Sequence, residues 1–283
     1  MRRAGPAGLT ALLLLATPLL AAEYLGSHTW RPGWHGAGGY SALALDADGA
    51  GFAALSDRGR WVTGRLARDA AGVVDGVAVA DRGMLFPGRP GLPDTNPLDP
   101  EGIARTPEGL FVSLESDHRV VRYGDLSLRP ERLPAHPDFA DFPVNRGLEA
   151  LAADAEGRLY ALPEGPRGGA FPVYRLDGGA WTIPFSVPAE GDFAVVGADV
   201  GPDARLYVLE RDFAVLGFRS RIRSWRLDGT DGRTHLETPL LAHDNLEGLA
   251  VWRDAAGRLR ATMVSDDNFR AVQRTEFVDY VLD

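Results

Sequence analysis

Short apolar runs of four to seven residues, broken by turn residues, recur along nearly the whole chain. The clearest set is Leu148–Ala152, Arg158–Leu162, Phe171–Leu176 and Trp181–Val187. Between these runs stand Asp154-Ala155-Glu156-Gly157, Gly165–Gly169 and Asp177-Gly178-Gly179. Runs of this length bounded by Asp and Gly predict β-strands joined by tight hairpins. A later stretch repeats the scheme with Asp203-Ala204, Arg221–Leu227 and Asp228-Gly229. Beyond the first twenty or so residues, no stretch has the apolar spacing and caps of a long helix.

A phrase recurs with the strands: an acid, a small or apolar run, a polar turn, then an apolar strand ending in another acid. It runs from Glu101-Gly102-Ile103-Ala104 to Leu114-Glu115, and from Glu149-Ala150-Leu151-Ala152 to Leu162-Pro163-Glu164. It returns from Asp199 to Leu209-Glu210 and from Glu247-Gly248-Leu249-Ala250 to Ser265-Asp266, with a degenerate copy from Tyr40-Ser41-Ala42 to Ser56-Asp57. The leading acids are spaced 149 − 101 = 48, 199 − 149 = 50 and 247 − 199 = 48 residues. A fixed period of that length marks an array of one supersecondary unit. Four short strands per unit is the content of a propeller blade. The expected fold is all-β, a β-propeller of four-stranded antiparallel blades, with five blades read from the sequence. The 60 residues from Ser41 to Glu101 exceed one period, and the Pro/Gly-rich excess from Phe86 to Pro100 reads as an inserted loop. Six blades are the alternative if residues 60–100 carry a further strand set. Few residues follow Glu247, so the segment Tyr24–Trp30 is expected to supply the final strand and remove the free edge.

Met1-Arg2-Arg3, the apolar stretch Leu9–Leu20 and Ala21-Ala22 have the form of a secretory signal peptide. The expected division is residues 1–22 as signal and 23–283 as one propeller domain, periplasmic or secreted after cleavage near Ala21-Ala22. Nothing later approaches the roughly 20 apolar residues of a spanning helix, so no integral membrane segment is expected in the mature chain. There is no cysteine, which excludes thiol chemistry; 283 − 22 = 261 residues are ample for a core without disulfides. The net charge of −9 argues against nucleic acid or an anionic membrane as partner. It leaves room for a small anionic substrate, because a bound cation reverses the local field. No feature of the sequence names a protein partner.

The inner strands of a propeller border its central channel, so an acid repeated in each blade becomes a ring of carboxylates. Two carboxylates about 4 Å apart repel by about 4 kcal/mol at an effective dielectric of 20. Such a ring holds a cation, shares protons or pairs with arginine; the plainer alternative is that each acid hydrogen-bonds a neighbouring blade. Glu101, Glu149, Asp199 and Glu247 are the expected metal ligands. An oxygen-only set favours Ca²⁺, with Mg²⁺ or Mn²⁺ as alternatives, over Zn²⁺. None of the six histidines has a partner at ligand spacing. His118 and His243 lie beside acidic motifs as candidate ligands or proton carriers, against the simpler reading of loop histidines. Asp46-Ala47-Asp48-Gly49 lacks the later Glu of a calcium loop and reads as a turn. Arginine accompanies several second acids, as in Asp57-Arg58 and Glu210-Arg211-Asp212, and Arg146 precedes Glu149. These forks suit anion binding or, alternatively, salt bridges between blades. No nucleophile elbow, phosphate-binding loop or dinucleotide fingerprint is present.

Several phrases resemble the bacterial phytase-like family described as "esterase-like activity of phytase". They are Asn145–Ala152, Leu206–Asp212, Asn245–Ala250 and Val264–Phe269, with Asp99–Ile103 and Gln273-Arg274-Thr275 in addition. The resemblance runs from about Tyr40 to the C-terminus. The copy around Asp199 departs most: its turn reads as shortened and lacks Asp-Gly, and Asp192 is the alternative matching acid. The resemblance implies a propeller related to calcium-dependent phosphomonoester hydrolases. The Glu-Gly pairs are also similar to the metal-binding glutamate of gluconolactonase-type propellers, which implies lactone hydrolysis instead. The combined expectation is a metal-dependent hydrolase of a phosphate ester or other small ester. Glu115, Glu164, Glu210 and Asp266 complete the site or activate water, and Arg58, Arg146, Arg211 and Asn245 hold the anion. The alternative from another class is a non-catalytic propeller that binds a ligand or envelope partner.

Overall fold

The computed structural model describes residues 22–86, 98–143 and 146–282. The expected signal residues 1–21, most of the expected insertion (87–97) and Asn145 lie outside the described residues. β1 (Glu23–Thr29) comes first in the chain and joins the last blade. Blade 1 is β2 (Tyr40–Leu45), β3 (Gly51–Ser56), β4 (Arg60–Arg68) and β5 (Val74–Met84). Blade 2 is β6 (Pro100–Thr106), β7 (Gly109–Leu114), β8 (Arg119–Tyr123) and β9 (Glu131–Arg132). Blade 3 is β10 (Leu148–Ala153), β11 (Leu159–Pro163), β12 (Ala170–Asp177) and β13 (Ala180–Pro188). Blade 4 is β14 (Ala194–Val200), β15 (Arg205–Ala214), β16 (Gly217–Arg226) and β17 (Arg233–Glu237). Blade 5 is β18 (Asn245–Arg253), β19 (Leu259–Asp266), β20 (Glu276–Val281) and then β1. The ring has five blades, and the segment expected to close it does so.

The inner strands touch in the cyclic order β2, β6, β10, β14, β18 and back to β2, which makes them the wall of the channel. Middle strands are buried on both faces because each blade is covered by two neighbours; Gly51–Ser56 and Leu159–Pro163 are buried throughout. This double burial explains why they read as continuous apolar runs instead of alternating ones. Outer strands such as β9 are exposed. The core is divided into clusters that each straddle one junction. Leu55 and Trp61 meet Val112 and Tyr123 between blades 1 and 2, and Phe111 meets Leu151 and Tyr174 between blades 2 and 3. Leu162 and Phe171 meet Val208 and Trp225, Leu209 and Ile222 meet Met263 and Val278, and Phe52 and Val62 meet Val264 and Phe277.

The hairpin between the first two strands uses one turn repeatedly. The amide of Gly49, Gly157 or Gly257 donates to the carbonyl of Asp46, Asp154 or Asp254, and each glycine has φ between 69° and 81°. Asp46-Ala47-Asp48-Gly49 is therefore the turn expected of it. In blade 4 the turn spans 201–205, the same length as 154–158 and 254–258, so it is not shortened. Ala204 holds the left-handed position there at φ 57°.

The junction that closes the ring is fastened by a buried network. Asp279 of β20 accepts from Arg68 Nη1 at 2.8 Å, from the Val74 amide at 2.9 Å and from Thr262 Oγ1 at 2.6 Å. Arg68 Nη2 and Trp252 Nε1 each donate to Thr262 Oγ1 at 3.0 Å. Asp279→Asn removes the charge opposing a nearly buried arginine. We expect it to lower the urea-unfolding free energy by about 3–5 kcal/mol; a loss below 1 kcal/mol would show that the junction does not depend on this pair.

Candidate functional site at the channel mouth

In every blade the register between the two innermost strands skips one residue. The skips fall between Tyr40 and Ala42, Pro100 and Gly102, Leu148 and Ala150, Val195 and Gly197, and Leu246 and Gly248. The bulged residues are therefore Ser41, Glu101, Glu149, Val196 and Glu247. A bulge re-aims a side chain out of the ordinary alternation, and it recurs here at the same height around the channel. In blades 2, 4 and 5 the residue after the bulge is glycine, which lets inner strands approach closely: a Cβ on Gly197 would stand 2.3 Å from the Glu247 carbonyl oxygen. A second tier is set by the residue that follows the partner of the pre-bulge position on each second strand: Asp57, Glu115, Glu164, Arg211 and Asp266.

The two tiers bring together Glu101, Glu149 and Glu247 with Asp57, Glu115, Glu164 and Asp266, and Asp99 joins them from the loop before β6. Ligand atoms of Asp99, Glu101 and Glu115 lie within 4.8 Å of one another. Asp99 is held at φ 50°, its carbonyl accepting from the Glu115 amide at 2.8 Å, and Glu115 Oε1 accepts from the Gly147 amide at 3.2 Å. Against these carboxylates stands Arg211. Its Nη1 donates to Asn245 Oδ1 at 2.7 Å and to the Glu247 carboxylate, and its Nη2 lies 3.9 Å from Glu164. Asn245 Nδ2 donates to Glu247 Oε1 at 2.9 Å, so the buried amide orients the pair.

The mouth cannot be fully ionised as it stands. Burial, and then the charges of Glu149, Glu247 and Asp99, push the Glu101 carboxyl well above its usual range. Burial followed by Glu115, Glu164 and Glu247 does the same to Glu149. Burial raises Glu247 too, although Arg211 opposes the shift. Asp266 is pushed up to about 8, chiefly by burial and then by Glu247, and Asp99 to about 6, by burial and then Glu115. Burial disfavours the Arg211 charge, but Glu247, Glu149 and Glu164 together hold its pKa above the ordinary value.

Two expected site residues are elsewhere. Asp199 lies three positions past the bulge of β14, where Val196 stands, and faces the opposite end of the channel. There it lines a cavity of about 290 Å³ with Leu43, Ile103, Val200, Val251 and Trp252. Asp199 Oδ2 accepts from the Val251 amide at 2.7 Å and fastens blade 4 to blade 5; burial pushes its pKa up to about 7. The bulge spacings are 196 − 149 = 47 and 247 − 196 = 51, so even spacing points to Asp199 while the bulge falls on Val196, and Asp192 lies outside β14. Glu210 pairs with Val195 at the position of Leu114 and Pro163, one residue before the mouth. One residue along a strand turns a side chain to the other face. Glu210 is fully buried, accepting from Arg221 Nε at 2.8 Å and Arg223 Nε at 2.7 Å. It is a salt bridge within the blade and not a mouth carboxylate.

Arg58 and Arg146 are exposed; the Arg58 guanidinium lies 3.5 Å from the Phe269 ring centroid. His243 Nε2 is 2.6 Å from Tyr280 Oη, within blade 5. His118, at φ 45°, sits beside Gly147 with its Nδ1 buried and without a hydrogen-bond partner, and burial lowers its pKa. Asp57 and Asp99 were not assigned to the site from sequence. Their signals were the Ser56-Asp57 end of the degenerate copy and the Asp99-Pro100-Glu101 spacing.

Two outcomes follow from this placement. Carboxyls whose folded-state pKa is raised stabilise the fold fully below the unfolded value near 4, and lose that contribution as pH rises through the folded value. With Asp99 at about 6 and Asp266 at about 8, chelator-treated protein should melt at a lower temperature at pH 8 than at pH 5. A midpoint that rises over that window would contradict the crowding. Glu210→Gln should cost about 3 kcal/mol in denaturant unfolding because two buried guanidinium groups lose their main partner. It should leave any cation-dependent rise in melting temperature intact, whereas a mouth carboxylate should not.

No curated protein matches the sequence. Among solved structures, an endo-arabinase from Bacteroides thetaiotaomicron superposes with a TM-score of 0.52 at 12% identity, covering 87% of this chain and 94% of that one. A gluconolactonase from Xanthomonas campestris gives 0.45 at 13% identity, covering 99% of each chain. The PQQ-bound aldose sugar dehydrogenase from Streptomyces coelicolor gives 0.47 at 14%, covering 91% and 98%. At such identities the likeness to the endo-arabinase is one of fold alone. The family model "Phytase-like: Esterase-like activity of phytase" matches residues 35–269, the whole ring apart from β1 and the last strand of the chain. The chain belongs to this phytase-like family of β-propellers.

Proposed function

We propose that this chain is an exported hydrolase of a phosphate ester or other small ester, working with a divalent cation held at the carboxylate mouth. The observation that carries the proposal is the convergence of Asp99, Glu101 and Glu115, with ligand oxygens within 4.8 Å, inside a ring where Arg211 is the opposing charge. The donor set fits a hard cation: it is all oxygen, several carboxylates deep, and crowded enough that ionisation needs a neutralising charge. Asp99, Glu101 and Glu115 would hold the ion, with Glu149 next to them. A hard cation so held polarises a phosphoryl or carbonyl oxygen and acidifies bound water.

The remaining groups have distinct roles in this reading. Glu164 and Asp266, on the second tier and outside the three-carboxylate cluster, are the candidates to accept a proton from water. Asn245 and Glu247 hold the Arg211 guanidinium toward the axis, where it can meet an anionic oxygen opposite the cation. Arg58, stacked on Phe269, and Arg146 are exposed and would draw an anion inward. Export is supported by the Met1–Ala22 segment, and none of the described helices is long and apolar enough to cross a membrane.

Thermal unfolding of metal-stripped protein with Ca²⁺, Mg²⁺ or Mn²⁺ tests the reading. One ion should raise stability by about 2.7 kcal/mol at a hundredfold excess over its dissociation constant. Glu101→Gln or Glu115→Gln should abolish both that rise and hydrolysis of an aryl phosphate. No rise with any of the three ions would mean that the carboxylates share protons instead, and the metal-dependent reading would fail.

A further inference from the structure

Blade 4 differs from the others at the mouth in more than its acids. The second strands of the other blades end at Ser56, Leu114, Pro163 and Asp266, level with the mouth. In blade 4, β15 and β16 stay paired beyond Arg211↔Ser220, through Asp212↔Arg219 and Phe213↔Phe218 to Ala214↔Gly217. At about 3.3 Å per residue, the tip stands about 13 Å beyond Arg211. Its sequence, Phe213-Ala214-Val215-Leu216-Gly217-Phe218, holds no polar side chain.

The direction of this hairpin is fixed by strand geometry. Residues two apart share a face, and directly paired residues share one too. Phe213 and Phe218 therefore lie on the face from which Arg211 enters the mouth. Their rings are 5.2 Å apart, and the Arg211 guanidinium is 5.9 Å from the Phe218 ring. Phe213 is 66% exposed, Val215 95% and Leu216 75%; Leu241, whose amide donates to the Phe218 carbonyl, adds 62%. Contiguous apolar surface of this kind marks a binding site in a protein whose core is complete without it.

We propose that the β15–β16 hairpin is an apolar subsite continuous with the mouth, and that the substrate is an amphiphilic ester. Its phosphate enters the carboxylate ring, and its alkyl or aryl group lies along Phe213, Phe218 and Leu216. The inference rests on the reading of the mouth as a cation-dependent ester site. Continuity decides the occupant, because the apolar strip begins beside the guanidinium that faces the anion and runs outward from it on the same face. A small, wholly polar phosphate ester would leave the strip unused.

Calorimetric titration of the Ca²⁺-loaded full chain with methyl phosphate and with octyl phosphate, below its micelle concentration, tests the inference. Octyl phosphate should bind about tenfold more tightly, the gain from two buried methylene groups. The exposed-residue variants Phe213→Ser/Leu216→Ser and, separately, Val215→Glu should lose most of that advantage. Both should bind methyl phosphate as before and keep the Ca²⁺-dependent rise in melting temperature. Equal affinities in the unaltered protein, no binding of octyl phosphate, or an advantage that survives both variants would overturn the inference. So would a dimer in sedimentation that the variants dissociate, or adsorption to phosphatidylcholine vesicles that only the variants lose. The Ca²⁺ melting shift reports on the cation site by itself: a shift without an octyl preference sinks the subsite alone.

Discussion

The pairing of β1 with β20 is the constraint on which the rest of the molecule depends. The N-terminal strand runs antiparallel to the C-terminal one from Glu23↔Val281 to Thr29↔Glu276, so the ends of the chain complete one blade. That blade meets blade 1 through the Arg68–Asp279–Thr262 network and the Phe52–Phe277 cluster. An open arc of the same blades would leave two apolar faces wet and its inner strands splayed. Closure is what places five equivalent strand positions around one axis.

Once the ring is closed, crowding of like charge at the mouth is unavoidable. Bulges aim Glu101, Glu149 and Glu247 inward, and Asp57, Glu115, Glu164 and Asp266 stand on the next tier. Low dielectric strengthens the repulsion because these groups are only partly exposed, and Glu115 and Asp266 are buried. The apolar junctions carry the opposing stability, and the mouth is left to choose between protons and a cation. Sites that store unfavourable electrostatics in a stable frame are where functional chemistry is commonly found.

Blade 4 breaks the symmetry of this arrangement. It replaces the bulge acid with Val196 and the second-tier acid with Arg211, and it extends its central hairpin past the mouth. Carboxylates concentrate toward blades 2 and 3, a guanidinium lies across from them, and an apolar strip rises beside it. In the proposed reading, a polar head would lie between these opposite charges with an apolar tail to one side.

The period, the four strands per unit and the closing segment were legible in the sequence, because each rests on local preference and repeated burial. The runs Leu148–Ala152 and Phe171–Leu176 fall within β10 and β12. The clustering of Glu101, Glu149 and Glu247 also followed from repetition alone. Asp199 and Glu210 fall away from the mouth because a repeat tolerates small shifts in length, whereas a strand reverses its faces with a shift of one residue. In blade 4 that shift sends Glu210 to Arg221 and Arg223 and brings Arg211 to the axis. Sequence determined which elements form and how often they recur. Tertiary structure decided which side chain of each element faces the axis, because register is set by pairing and packing between strands.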